Sequence, residues 1–109
     1  MYPLHVHLFE TFVFLEILKT IQAWPLKPGF YHFRTYGGAE VDLILELNGQ
    51  LYLIEIKATT NPVKKHCRGF TAFRECFPAE KIGGQLVICT VEEVRRLGPD
   101  TWAISWWYI

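Results

Sequence analysis

Charge of one sign, paired cysteines and long apolar runs are all missing from this sequence, and each absence excludes something. Eleven Lys and Arg balance eleven Asp and Glu, for a formal net charge of +0 at pH 7. A strong non-specific nucleic-acid binder carries an overall basic balance, so that class is excluded. Cys67, Cys76 and Cys89 are odd in number and scattered without CxxC spacing, which indicates neither a disulfide framework nor a zinc site. The most apolar stretch, Leu8 to Trp24, is interrupted by Glu10, Glu16 and Lys19. No run therefore approaches the roughly 18 apolar residues that a membrane span needs. Met1-Tyr2-Pro3-Leu4-His5 has no basic n-region, so no signal peptide is expected. What is present is 109 residues that are 50% apolar, 16% aromatic and 20% charged. That composition excludes disorder and supports one soluble, cytoplasmic domain over residues 1–109 with a single core.

Periodicity and turn chemistry divide the chain. Leu8 to Ala23 reads as a helix closed off by Pro25 and Pro28. Phe30 to Tyr36 reads as a strand, and Val41 to Leu47 and Leu51 to Lys57 as two more, joined by Asn48-Gly49. Asn-Gly between apolar runs is a strong hairpin signal, because a type I′ turn needs positive φ at both central residues. Asn61-Pro62 is a cap followed by proline, opening a helix to about Phe77. Gln85 to Cys89 is a short buried strand. Thr90 and Glu93 form a capping box for a brief helix through Leu97, and Trp102 to Ile109 is a last aromatic strand. The expected architecture is α/β, a mixed sheet flanked by helices.

The hairpin carries the chemical information. With Asn48-Gly49 as a two-residue turn, Leu47 faces Gln50, Leu45 faces Tyr52, Leu43 faces Ile54 and Val41 faces Ile56, an apolar core face. The alternate face pairs Glu46 with Leu51, Ile44 with Leu53, Asp42 with Glu55 and Glu40 with Lys57. Directly opposed like charges are destabilising, with Cβ atoms only about 5 Å apart. Asp42 and Glu55 must therefore share a proton, with one pKa raised, or share a cation. Carboxylate oxygens at that separation, with room for water, suit Mg²⁺ or Mn²⁺. Lys57 lies two residues beyond Glu55, on the same face, where an ammonium can orient a water or stabilise developing phosphate charge. Glu10 shares a helical sector with Val13, Phe14, Ile17 and Ile21. A carboxylate on an apolar stripe needs a partner, and the Asp42–Glu55 site would supply one.

The plainer reading is a solvated strand face on which Lys57 neutralises Glu55 and Glu40. The buried character of Ile44, Leu51 and Leu53 on that face argues against it. Glu10 in a first helical turn can also merely complement the helix dipole. Lys64, Lys65 and Arg68 are more often a solvated helix face than a phosphate contact. Trp102, Trp106 and Tyr108 share one face of the last strand, most simply core or subunit interface.

Taken together, Glu10 on a leading helix, Gly38-Ala39-Glu40-Val41-Asp42, and Ile54-Glu55-Ile56-Lys57 on the next strand resemble the PD-(D/E)XK nuclease superfamily. That resemblance implies a restriction-endonuclease-like αβββαβ core. More narrowly, Leu8 to Val13, Arg34, the EVD and IEIK motifs, Arg68-Gly69-Phe70 and Trp106-Trp107 resemble a C-terminal domain of unknown function found behind a P-loop ATPase in bacterial and archaeal proteins. By position, the resemblance puts the metal-binding acids at Asp42 and Glu55, with the Ile56 carbonyl as a further ligand. The catalytic lysine falls on Lys57, and Glu10 on the metal directly or through water. The sequence departs from the pattern in having Val41 before Asp42 instead of proline, and no QxxxY motif downstream. No GxxxxGK[ST] occurs either, so the ATPase half is not in this chain.

The function implied is Mg²⁺- or Mn²⁺-dependent phosphodiester hydrolysis in nucleic acid, with Lys64, Lys65 and Arg68 as weak backbone contacts. Two alternatives stand beside it. One is a non-catalytic module, once attached to a P-loop ATPase, that recognises DNA or a protein. The other is a structural remnant that forms a homodimer through its aromatic last strand.

Overall fold

The computed structural model describes residues 4–108. The elements are α1 (Leu4–Gln22), β1 (Gly29–Arg34), β2 (Glu40–Leu47), β3 (Gln50–Ile56), a 3₁₀ turn (Lys64–Cys67), α2 (Arg68–Cys76), β4 (Ile82–Cys89), β5 (Arg95–Gly98), β6 (Thr101–Ser105) and a 3₁₀ turn over Trp106–Tyr108. They form a mixed six-stranded sheet in the order β1-β2-β3-β4-β6-β5. The expected α/β class and the αβββαβ succession are both present. No helix among the described residues is long and apolar enough to cross a membrane.

Each face of the sheet has its own core. Val13, Ile17 and Ile21 of α1 pack on Leu43, Leu45, Ile54, Ile56 and Ile88. On the other face Phe70 and Phe73 of α2 pack on Val41, Ile44, Leu53 and Val87. α1 ends where the amides of Ala23 and Trp24 turn back to Thr20 and Ile21, and Lys27 Nζ donates to the free carbonyl of Gln22 at 2.6 Å. The hairpin has the expected register, Leu47 with Gln50 through Leu43 with Ile54. Asn48 and Gly49 take φ of 52° and 78°, as a type I′ turn requires. β3 then crosses over through α2 to β4, which lies parallel beside it.

Three local expectations are corrected. α2 begins at Arg68, not at Pro62; the preceding turn is 3₁₀, its Val63 amide donating to His66 Nδ1 at 3.1 Å. The brief helix expected over Thr90–Leu97 is absent. Arg95 and Arg96 instead pair with Ala103 and Trp102 at the sheet edge. A capping box contributes only about 1 kcal/mol, and pairing with β6 outweighs it. The last strand stops at Ser105. Trp106 turns aside to pack edge-to-face on Phe9 and Phe12 of α1, so Trp102, Trp106 and Tyr108 do not share a strand face. Ile109 lies outside the described residues.

Candidate metal and phosphate site

The hairpin ladder ends at Leu43–Ile54, and the two carboxylates occupy the opening beyond it. The Asp42 amide donates to Glu55 Oε1 at 3.1 Å, and the Ile56 amide donates to Asp42 Oδ2 at 2.8 Å. Each carboxylate thus takes a backbone donor from the opposite strand, in place of the ladder bonds that stop there. β2 is disrupted on its other edge as well. Tyr31 pairs with Ile44 but Phe33 pairs with Val41, so Asp42 and Leu43 together oppose His32 alone. This β-bulge re-aims the side chain it carries. Val41 and Ile44 consequently share the α2-side core while Ile56 lies in the α1-side core. That corrects the expected pairing of Val41 with Ile56 on one face.

The result is a carboxylate pair that straddles the sheet. Asp42 lines a cavity on the α1 side with Glu10, His7 and Ile56. Glu55 lines one of about 360 Å³ on the α2 side with Lys57, Lys65, His66, Arg68 and Gly69. Glu40 borders both. Glu10 reaches the same junction from α1, its Oε2 accepting from the Ala58 amide at 3.3 Å. The structure thus gathers Asp42, Glu55, Ile56, Lys57 and Glu10, with Lys65 and Arg68 on the cavity wall. Lys64 is exposed and does not line that cavity.

Electrostatics distinguish the two acids. Glu55 is only 5% exposed, and its pKa is pushed up to about 9 from 4.5, first by burial and then by the hydrogen bond and charge of Asp42. Lys57 Nζ, 3.8 Å from Glu55 Oε2, pulls the other way. At neutral pH Glu55 keeps its proton and shares it with Asp42, as two adjacent carboxyls do. Burial, with the charges of Lys57 and Lys65, holds His66 below its usual pKa.

The sequence pairs Glu40 only with Lys57. Glu40 is the acid nearest the basic residues of β1, with its Oε2 3.8 Å from His32 Nε2 and 3.7 Å from Arg34 Nε. No spacing rule marks His66. Arg68, expected as a weak backbone contact, donates to the Gly37 carbonyl at 2.8 Å and ties the Gly37-Gly38 loop to the cavity wall. Gly69 lets the helix touch the strand: a methyl there would lie 1.8 Å from the Glu40 carbonyl oxygen.

Among the described residues, no group of three His, Cys, Asp or Glu side chains is placed to hold a metal. Asp42 and Glu55 are a pair. Mg²⁺ does not need an all-protein cage, since one or two carboxylates with water and substrate phosphate suffice, and the donors here fit that mode.

A family model described as a domain of unknown function, DUF4143, matches residues 6–109. The chain belongs to the DUF4143 family. No characterised protein and no solved structure matches it. Within this DUF4143 chain the match covers every residue of the site, from Glu10 to Gly69.

Proposed function

We propose that this DUF4143 domain hydrolyses phosphodiester bonds in nucleic acid with Mg²⁺ or Mn²⁺, as a divergent relative of PD-(D/E)XK nucleases. The observation that carries the reading is the Asp42–Glu55 pair, with Glu55 buried and Asp42 half-buried, and Lys57 Nζ 3.8 Å from Glu55. A carboxyl held protonated at neutral pH by burial and a neighbouring acid costs stability, and such a perturbed acid beside a cavity favours a site over a structural network. The carboxylates of Asp42 and Glu55 and the Ile56 carbonyl would hold the cation, with Glu10 adding its oxygen directly or through water. The cation, when bound, supplies charge neutralisation to the phosphate and acidifies water.

The protein's own groups do the rest. Lys57 orients the attacking water, whose oxygen bonds to phosphorus as one P–O ester bond breaks. One proton of that water reaches the departing oxygen and the other is released, leaving a phosphomonoester and a hydroxyl. Lys65 and Arg68 line the entrance from which a phosphate would approach. The balanced net charge limits non-specific attraction, so local placement must supply the affinity. A P-loop ATPase domain as a covalent neighbour in related proteins, and a cytoplasmic location, belong to the same reading.

The test needs no knowledge of substrate. Thermal melting in EDTA and in Mn²⁺ should show Mn²⁺ raising the Tm of the wild type and not that of Asp42→Asn, with Asp42→Asn the more stable protein in EDTA. Cleavage of plasmid or branched DNA should then be metal-dependent and lost in Lys57→Ala. A Tm indifferent to Mn²⁺, with Asp42→Asn merely destabilised, overturns the reading. The second reading, a non-catalytic DNA- or protein-interaction module, is favoured by one observation: both carboxylates already accept backbone donors, as a structural pair would.

A further inference from the structure

α1 carries two apolar stripes where a surface helix carries one. The inner stripe, Val13, Ile17 and Ile21, is buried on the sheet. Leu4, Leu8, Phe12 and Leu15 are 70%, 57%, 48% and 56% exposed. At about 3.6 residues per turn these four fall in one sector directly opposite the inner three. A helix that is apolar all round is normally covered on all sides. The patch continues off the helix. Trp106 stacks edge-to-face on Phe12 with centroids 5.6 Å apart, and Trp107 stacks on Trp106 at 6.1 Å. Trp107 and Tyr108 are themselves 51% and 62% exposed.

The size and character of this face indicate what covers it. At roughly 150–200 Å² per large side chain, Leu4, Leu8, Phe12, Leu15, Trp107 and Tyr108 present about 600 Å² of exposed surface. That reaches the upper end of the largest patch on a typical monomer, about 300–600 Å². Two such faces together bury about 1,200 Å², the threshold of a standard stable interface. The stripe holds no charged residue from Leu4 to Leu15, and Lys19 follows only a turn later. A charged partner therefore has nothing to read, whereas an identical apolar face matches it. The chain's net charge of +0 puts no repulsion between copies.

We propose that two copies of this chain pair back to back through α1, antiparallel about a two-fold axis, with Trp106–Tyr108 flanking the seam. In that arrangement Leu4 of each copy meets Leu15 of the other, and Leu8 meets Phe12, giving an isologous interface. The assembly is layered sheet, helix, helix, sheet. It leaves the Glu55–Lys57 cavity, on the far side of each sheet, open in both copies. The interface is independent of the hydrolytic reading, since no residue of the site takes part.

Sedimentation velocity across low to high micromolar concentrations tests it. The wild type should be a dimer whose dissociation is visible on dilution. Leu8→Glu and Leu15→Glu should each weaken it by at least tenfold, and the double variant should be monomeric with an unchanged circular-dichroism spectrum. Leu26→Glu, at a position 60% exposed and off the patch, should dimerise as the wild type does. A wild type that is monomeric throughout overturns the proposal. Dimers that survive both stripe substitutions overturn it by placing the interface elsewhere.

Discussion

Replacing Glu55 by Gln tests the electrostatic core of the site without reference to any ligand. Below pH about 4.5 the carboxyl is protonated in both folded and unfolded chains. Above it the unfolded chain loses the proton, while the folded chain retains it up to about 9. Folding takes up one proton throughout that window, so stability falls as pH rises, by about 1.4 kcal/mol per pH unit. Gln has no proton to lose, and its amide preserves the contacts: the oxygen accepts from the Asp42 amide as Glu55 Oε1 does, and the nitrogen donates to the Asp42 carboxylate. Between about pH 5.5 and about pH 7.5 the wild type should therefore lose ~2.7 kcal/mol relative to Glu55→Gln, a Tm difference of roughly 10 °C for a domain of this size. His66, held low by burial and by Lys57 and Lys65, titrates in both proteins and cancels in the difference. Urea unfolding at several pH values reads the two slopes. Parallel curves would mean that Glu55 ionises normally and that the proton shared with Asp42 does not exist.

Three other substitutions have defined outcomes. Gly69→Ala places a methyl 1.8 Å from the Glu40 carbonyl oxygen, so α2 must lift off β2, costing about 3 kcal/mol or more; soluble yield and Tm should both fall. Gly49→Ala forces a side chain into φ of 78° and should cost about 1–2 kcal/mol by denaturant unfolding, with the cavity residues undisturbed. Ser105 Oγ is fully buried with no hydrogen-bond partner among the described residues. Ser105→Ala should therefore stabilise by about 1 kcal/mol, and a loss of Tm would reveal a partner for the hydroxyl.

The hairpin was the most legible part of the molecule because turn chemistry and alternation determine a register together. Asn48-Gly49 fixed the partners from Leu47–Gln50 to Leu43–Ile54, and from them the encounter of Asp42 with Glu55. The sequence does not mark the bulge opposite His32, because a bulge without glycine has no composition signal. It therefore hides the side of the sheet on which each acid emerges. The segment after Thr90 misled for a related reason. A capping box is local information, and the free edge of β6 that captures Arg95 and Arg96 is contributed by residues further along the chain. The exposed stripe of α1 was visible as letters, but only the placement of α1 on the sheet shows which of its two faces remains bare.

The irregularity of β2 is itself an argument about purpose. A continuous ladder through Asp42 would satisfy its own backbone, and leucine at position 55 would pack into the α2-side core beside Leu53 without any desolvation cost. Isosteric apolar pairs of that kind are often more stable than buried charged ones by about 1–4 kcal/mol. This chain instead interrupts both ladders at one residue, fills the gap with two acids and stores a proton between them, with Lys57 3.8 Å away. Removing a proton from such a pair requires a positive charge to take its place, and each acid lines a cavity, Glu55 on the α2 side and Asp42 on the α1 side. Glu55→Gln and Asp42→Asn should therefore both stabilise the unliganded fold while abolishing its response to Mn²⁺. A structural pair would leave the wild type indifferent to Mn²⁺, so the metal response decides between the readings.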